Sequence, residues 1–232
     1  MIFEVRRLFG ALLLALCFVS LFSFADENPA DIEIKNLQGQ EAKPYLEKLS
    51  NFYSSFFQNS PFRDNDTKAE WDARISSLFD NPASISILVM KNGEILGAAM
   101  GMPLKDADAS CLAAFDRCPQ DLNSLFFIAR FAVKKECLPN EYLPPGIVET
   151  TLRSEFERLV RQKKLYSGIC LWLLDSISKN PDSRIYIRWK QKGFSPHPEF
   201  SFEDMWKEDP SPEAKKVPHK LVLWKKELQS EK

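Results

Sequence analysis

The sequence predicts one α/β domain: a mixed central sheet flanked by helices, in the order β-α-α-β-β-β-α-β-α-β-β. Three observations carry this. Asn92-Gly93 stands between two strand-like runs, ISILVMK and EILGAAMGM, and both turn residues accept the positive φ that a tight hairpin needs. Two runs, SLFFIARFAVKK and YSGICLWLLD, are apolar at nearly every position and read as strands covered on both faces. Between them, from about 146 to 164, Ile147, Leu152, Phe156, Leu159 and Val160 recur at helical spacing. A chain of 232 residues suits one ordinary domain with a real core. At 44% apolar and 12% aromatic residues, disorder is excluded for most of it. A net charge of -1 argues against a nucleic-acid binder, which needs a basic excess or stripe. With only two histidines, no metal site is expected.

The N-terminus is a segment of its own. Arg6 and Arg7 precede the apolar run LFGALLLALCFVSLFSFA (8–25), which ends in Ser23-Phe24-Ala25 before the polar DENPAD. A basic, then apolar, then small-residue order reads as a signal peptide cleaved after Ala25. Eighteen residues also approach the length that spans a bilayer, so an uncleaved anchor with Arg6 and Arg7 on the cytoplasmic side is the alternative. The expected division is therefore 1–25 and a single domain at 26–232. The expected location is exported (periplasmic, extracellular or host-delivered) or membrane-anchored, with the cytoplasm as the alternative. Membrane contact is expected only through 8–25. Cys17 follows Leu16, too bulky for a lipidation site. Cys111, Cys118, Cys137 and Cys170 remain; Cys111 and Cys118 share one polar stretch and are the expected bridge, and Cys170 is expected to be an inert core thiol.

The other elements follow in order. Ile32-Glu33-Ile34 alternates as a first strand ending at Gly39. Tyr45, Leu46, Leu49, Phe52, Tyr53, Phe56 and Phe57 give an aromatic-faced helix over about 41–58. Thr67 and Glu70 form a capping box for a second helix carrying Trp71, Ile75, Leu78 and Phe79, stopped by Asn81-Pro82. After the hairpin, residues 105–123 read as a polar surface insert. Asn180-Pro181 reads as an N-cap and first position of a helix that holds Tyr186 and Trp189 and closes at Gly193. FSFEDMW and HKLVLWKKEL are the last strands.

Several residues carry candidate chemistry. Asp175 ends a buried strand and is a candidate general base. Arg130 lies within a buried strand, where a guanidinium needs a partner. It either binds an anionic group or pairs with an acid such as Glu149 or Glu155. Ser167-Gly168 lacks the companions of a serine hydrolase, and no phosphate-loop lysine motif is present.

The element order resembles that of the GCN5-related N-acetyltransferase (GNAT) superfamily over roughly residues 32–228. RIYIRWKQKGF is similar to the family's helix-to-strand segment, ISILVMKNGEILGAAMG to its hairpin, and FIARFAVKKE to the strand whose end splays to admit acetyl-CoA. The resemblance implies a GNAT-like sheet in which two parallel strands, ending near Val133 and Asp175, part into a V. It implies acetyl-CoA as co-substrate, its arm held by the backbone of Phe131, Ala132 and Val133. Gly146, Ile147 and Val148 would open the helix whose N–H groups hold the pyrophosphate. Tyr186 would stand in as the acid that reprotonates the leaving thiolate, because the position of the family tyrosine is Trp189. The turn departs from the family pattern, since Leu143-Pro144-Pro145-Gly146-Ile147-Val148 keeps one glycine, and both prolines lack an N–H. Two functions are implied: acetyl transfer from acetyl-CoA to an amine or protein acceptor of unknown identity, or a catalytically inactive GNAT-shaped binding module.

Overall fold

The computed structural model describes residues 32–59, 62–116, 121–134, 146–209, 211 and 213–228. The N-terminal segment, Cys118, Cys137 and the Leu143-Pro144-Pro145 portion of the turn lie outside these residues. A seven-stranded sheet runs in the order β1-β2-β3-β4-β5-β7-β6. Its strands are β1 (Ile32–Gln38), β2 (Ile85–Lys91), β3 (Glu94–Pro103), β4 (Leu125–Val133), β5 (Gly168–Leu174), β6 (Ser195–Trp206) and β7 (Val217–Glu227). β4 and β5 are parallel, whereas β2–β3, β3–β4, β5–β7 and β6–β7 are antiparallel. The helices are α1 (Leu46–Phe57), α2 (Lys68–Phe79), α3 (Ala109–Ala113), α4 (Ile147–Gln162), α5 (Asp175–Ser178) and α6 (Arg184–Gln191). Among the described residues no helix is long and apolar enough to cross a membrane.

Local chemistry sets most of these boundaries. Asn92 and Gly93 have φ of 51° and 78°, the double left-handed turn that joins β2 to β3. Thr67 and Glu70 close the expected capping box at α2: the Glu70 N–H donates to Thr67 Oγ1 at 3.3 Å and the Thr67 N–H to Glu70 Oε2 at 2.8 Å. The first helix starts later than expected. Pro44 has no N–H, so Gly39–Tyr45 is wound as a 3-10 segment and α1 begins only at Leu46. The Asn180-Pro181 expectation also needs correction. Asn180 accepts from the Asp182 N–H through its side chain and from the Ser183 N–H through its carbonyl, making a turn, and α6 begins after Ser183.

Two hydrophobic clusters pack on the sheet. The first joins Leu49, Phe52 and Tyr53 of α1 and Trp71, Ile75 and Phe79 of α2 to Leu88, Ala98, Met100 and Ala132. The second corrects the reading of 105–123 as a surface insert. Leu104, Ala107, Cys111 and Phe115 are buried there against Phe127, Cys170, Phe200 and Leu223. Cys111 is a free thiol within that core rather than half of a bridge to Cys118, and Cys170 is a free buried thiol. On α4 the buried stripe is Val148, Leu152, Phe156 and Val160, spaced by four; Ile147 falls outside it and is 37% exposed.

One bulge matters for everything that follows. Met100 pairs with Arg130 but Gly101 pairs with Ile128, leaving Ala129 as an extra residue in β4. Gly101 permits this close approach: a Cβ there would lie 2.2 Å from the Phe127 carbonyl oxygen and 2.6 Å from the Phe156 ring. Gly101→Ala is therefore expected to destabilise the fold by about 1–3 kcal/mol, lowering Tm by about 2–4 °C per kcal/mol in a thermal melt. An unchanged Tm would mean the bulge is not enforced by this contact.

Candidate functional site

β4 and β5 pair only from Leu125↔Gly168 to Ile128↔Leu171. β4 then continues to Val133 and β5 to Leu174 without pairing, so the two ribbons part into a V at the bulge. β4 stays bonded to β3 on its other side, through Ala99↔Phe131, Ala98↔Ala132 and Gly97↔Val133. The edge of 129–133 that would face β5 thus offers backbone donors and acceptors with no strand to take them, which a ligand can use. A cavity of about 1170 Å³ is lined by the parting ends of both strands, Ala129 to Val133 of β4 and Leu171 to Leu173 of β5.

One half of the cavity is narrow and aromatic. Phe131, Ala132 and Val133 border it, as expected, facing Ile185, Arg188 and Trp189 of α6. Phe131 meets Trp189 edge-on, with ring centroids 5.5 Å apart. α4 starts at Gly146, whose φ of 77° and ψ of 9° place it in the left-handed region where glycine is favoured, but neither it nor Ile147 nor Val148 is among the described residues that line the cavity. The first-turn N–H groups of α4 have no intrahelical partner by construction, and its dipole favours an anion. Val148 is buried and Ile147 points outward, so of this turn it is Glu149 that borders the cavity. Its carboxylate is 3.3 Å from Arg188, and Lys134 is 3.1 Å from Glu94. Arg188 and Lys134 therefore each already hold a carboxylate, whereas Lys48, which also borders the cavity, donates to the Gly93 carbonyl at 3.0 Å.

The two residues read from sequence as catalytic sit elsewhere. Tyr186 packs edge-on against Trp224 at 5.0 Å and is not among the described cavity-lining residues. Helical geometry is the reason: Ile185, Arg188 and Trp189 share the cavity side of α6, and position 186 is turned about 100° away from 185. Asp175 is the first residue of α5, where a carboxylate suits the helix dipole, and it pairs with Lys179 one turn on at 2.7 Å. It too is outside the described cavity lining.

The other half of the cavity is wider and carries the charge. Phe52, Phe56, Phe57, Phe62 and Trp71 form an apolar wall, into which Arg74, Arg130, Asp64 and Asp204 project. Arg74 is held by Asp64 at 2.8 Å and by Asp66, and its guanidinium lies over the Trp71 ring. The attraction of those carboxylates outweighs burial and keeps Arg74 above the usual arginine range. Asp204, on β6, accepts the Met205 N–H at 2.8 Å. Cys111 also borders the cavity, but burial, with Asp108 and Asp204 nearby, pushes its thiol up to about 12. A thiol held that high stays protonated at neutral pH and is a poor nucleophile. Asp204 was invisible as a site residue in the sequence, since nothing local marks one acid of a strand as cavity-facing.

This half is closed by a long-range clasp. The Trp206 indole N–H donates to the Phe62 carbonyl at 2.9 Å, and the Asn65 N–H to the Lys207 carbonyl at 2.8 Å. Lys216 reaches Asp66 at 3.2 Å and Glu70 at 2.9 Å. Lys216 and the Thr67 N–H hold the Glu70 carboxyl down at about 2. A carboxyl depressed on folding contributes stability above its unfolded pKa and loses it as pH falls through the folded one. Wild-type stability should therefore drop from about pH 4.5 to about 2 more steeply than that of Lys216→Met, as followed by urea unfolding at each pH. Parallel acid limbs would remove Glu70–Lys216 from the account.

No protein-family model matches the sequence, and no curated protein sequence matches it. Solved structures do. An acetyltransferase from Streptococcus agalactiae 2603 superposes with a TM-score of 0.55 at 15% identity, covering 86% of this chain and 99% of that one. The chain has a GNAT acetyltransferase fold. A ribosomal-protein-alanine N-acetyltransferase from Brucella melitensis matches at a TM-score of 0.53 and 15% identity, covering 84% of this chain and 99% of that one. At 15% identity the likeness to both structures is one of fold.

Proposed function

We propose that the protein is an acyl-CoA-dependent N-acyltransferase that moves an acetyl group from acetyl-CoA to an amine. The observation that carries this is the V: strands bonded to Ile128 and Leu171, open beyond them, with a cavity lined by both parting ends. The unpaired β4 edge at Phe131, Ala132 and Val133 suits the amide-bearing arm of the cofactor. The α4 N-terminus at Gly146, with Arg188 and Lys134 beside it, suits the phosphates. Acetyl-CoA supplies an activated thioester. Phe131 and Trp189 flank its path and exclude water, and the cavity's wider half orients the amine.

The amine must lose a proton to attack. We assign this to Asp204, because Asp64 is committed to Arg74, Glu149 to Arg188 and Glu94 to Lys134, while Asp108, which also borders the cavity, is exposed and Asp204 is half-buried. The proton passes to Asp204, a C–N bond forms, and the C–S bond breaks. The second proton, shed by the nitrogen as the amide forms, passes through water to the leaving thiolate, since no tyrosine among the described residues borders the cavity. Calorimetric titration with acetyl-CoA tests the reading, and the absence of binding at millimolar ligand would end it.

One observation favours the second reading, a GNAT-shaped binding module without catalysis. Glu149 places negative charge in the first turn of α4, and Arg188 and Lys134 are both paired. The same titration separates the two. We propose further that the domain is exported by its N-terminal segment; mature protein starting at Asp26 in N-terminal sequencing is the expected result.

A further inference from the structure

Arg130 has neither of the acidic partners its burial in a strand called for. Glu149 is taken by Arg188 at 3.3 Å, and Glu155 by Arg158 at 2.7 Å. Among the described residues no carboxylate forms an ion pair with Arg130. Its one hydrogen bond runs from Nη1 to the carbonyl of the preceding residue, Ala129, at 2.6 Å. A guanidinium carries five N–H donors, so most of its capacity is open. The bulge at Ala129 gives it this position, turning Arg130 to the side of the sheet where Trp71 lies, with the guanidinium 5.7 Å from the ring centre.

Two neighbours share the deficit. Trp71 is 1% exposed and borders the cavity, yet its indole N–H has no partner among the described residues. Tyr53 is fully buried, stacks on Trp71 at 6.4 Å, and its hydroxyl is also unpartnered. Buried donors left without acceptors are costly and rare. Of the two, Trp71 borders the cavity, and Tyr53 stacks on it without lining the cavity itself. Asp204 is close enough to favour the Arg130 charge electrostatically but does not pair with it.

From this wall we infer that the acceptor is a small amino acid with an apolar side chain, its carboxylate bound by Arg130 and the Trp71 N–H and its ammonium directed to Asp204. Arginine suits such a planar, bidentate contact. Phe52, Phe56, Phe57 and Phe62 supply the apolar surface. The inference rests on the transferase reading for the fate of the amine, but the carboxylate site stands on its own geometry.

The test is calorimetry on the purified full chain with L-phenylalanine, L-leucine and L-methionine, each beside its carboxamide. At least one acid is expected to bind at least about tenfold more tightly than its amide. Arg130→Gln should remove that preference, with the fold checked by circular dichroism. Trp71→Phe, which keeps a benzene ring and loses the pyrrole ring with its N–H, should weaken the acid severalfold and leave the amide unchanged. This second variant keeps the question answerable if Arg130→Gln does not fold. The proposal is overturned if none of the three acids binds, if amides bind as well as acids, or if folded Arg130→Gln keeps the preference. Titrating acetyl-CoA on the same sample separates the two failures. Acid binding without acetyl-CoA binding retires the transferase and leaves the carboxylate site; the reverse retires the acceptor assignment alone.

Discussion

Gly146→Glu is expected to abolish acetyl-CoA binding while leaving the domain folded. A Cβ at 146 meets no heavy atom of the described residues within 4 Å. Its cost to the fold is backbone strain, because a φ of 77° is one that L-residues rarely adopt; about 1–2 kcal/mol is the scale of that strain. The effect on the ligand is larger and of a different kind. The added carboxylate would stand at the opening of α4 beside Glu149, where the helix dipole and free N–H groups otherwise favour an anion. Two carboxylates would then face the phosphates. Gly146→Ala separates the two contributions, since it carries the strain without the charge and should retain most of the affinity. Calorimetry gives the affinity and a thermal melt the strain. Equal affinity in wild type and Gly146→Glu would mean that the phosphates bind away from α4.

Asp204→Asn should lower kcat by about a hundredfold or more, the range for loss of a positioned general base, with the affinity for acetyl-CoA unchanged. The split follows from position: Asp204 is on the wide side of the cavity, and the groups suited to the cofactor line the narrow side. The deficit should shrink as pH rises, because more of the amine then arrives already deprotonated. Asp204→Glu should recover part of the rate. A variant as fast as wild type at neutral pH would remove Asp204 from proton transfer. If the loss were the same at every pH, the role would be positioning rather than base catalysis.

Much of the architecture was legible in the sequence, for physical reasons. Asn92-Gly93, the Thr67–Glu70 box and the two continuous apolar strands are local signals whose energetics do not depend on the rest of the fold. That Phe131, Ala132 and Val133 border the cavity follows from their place at the unpaired end of β4. The insert at 105–123 was misread because its buried residues, Leu104, Ala107, Cys111 and Phe115, are spaced irregularly through a 3-10 turn and a short helix. Tyr186 was placed on the wrong side because α6 has aromatic residues on two faces, toward Trp224 and toward Phe131. Asp204 and the orphaned donors around Arg130 could not be read at all. They depend on a one-residue bulge and on strands far apart in the chain.

The clasp between the α1–α2 connection and the last hairpin has a kinetic consequence. The Trp206–Phe62 and Asn65–Glu208 bonds join residues 144 and 143 positions apart. The wide end of the cavity therefore cannot assemble until β6 and β7 have been synthesised and docked. Contacts of such separation form late and slowly, because the loop they close loses its entropy before any contact rewards it. In a pulse-labelling experiment the amides of 62–67 would gain protection in the final phase, with β6, well after the α2 and β2–β3 amides. The end of the cavity bordered by Phe62 and Trp206 would be the last to become native.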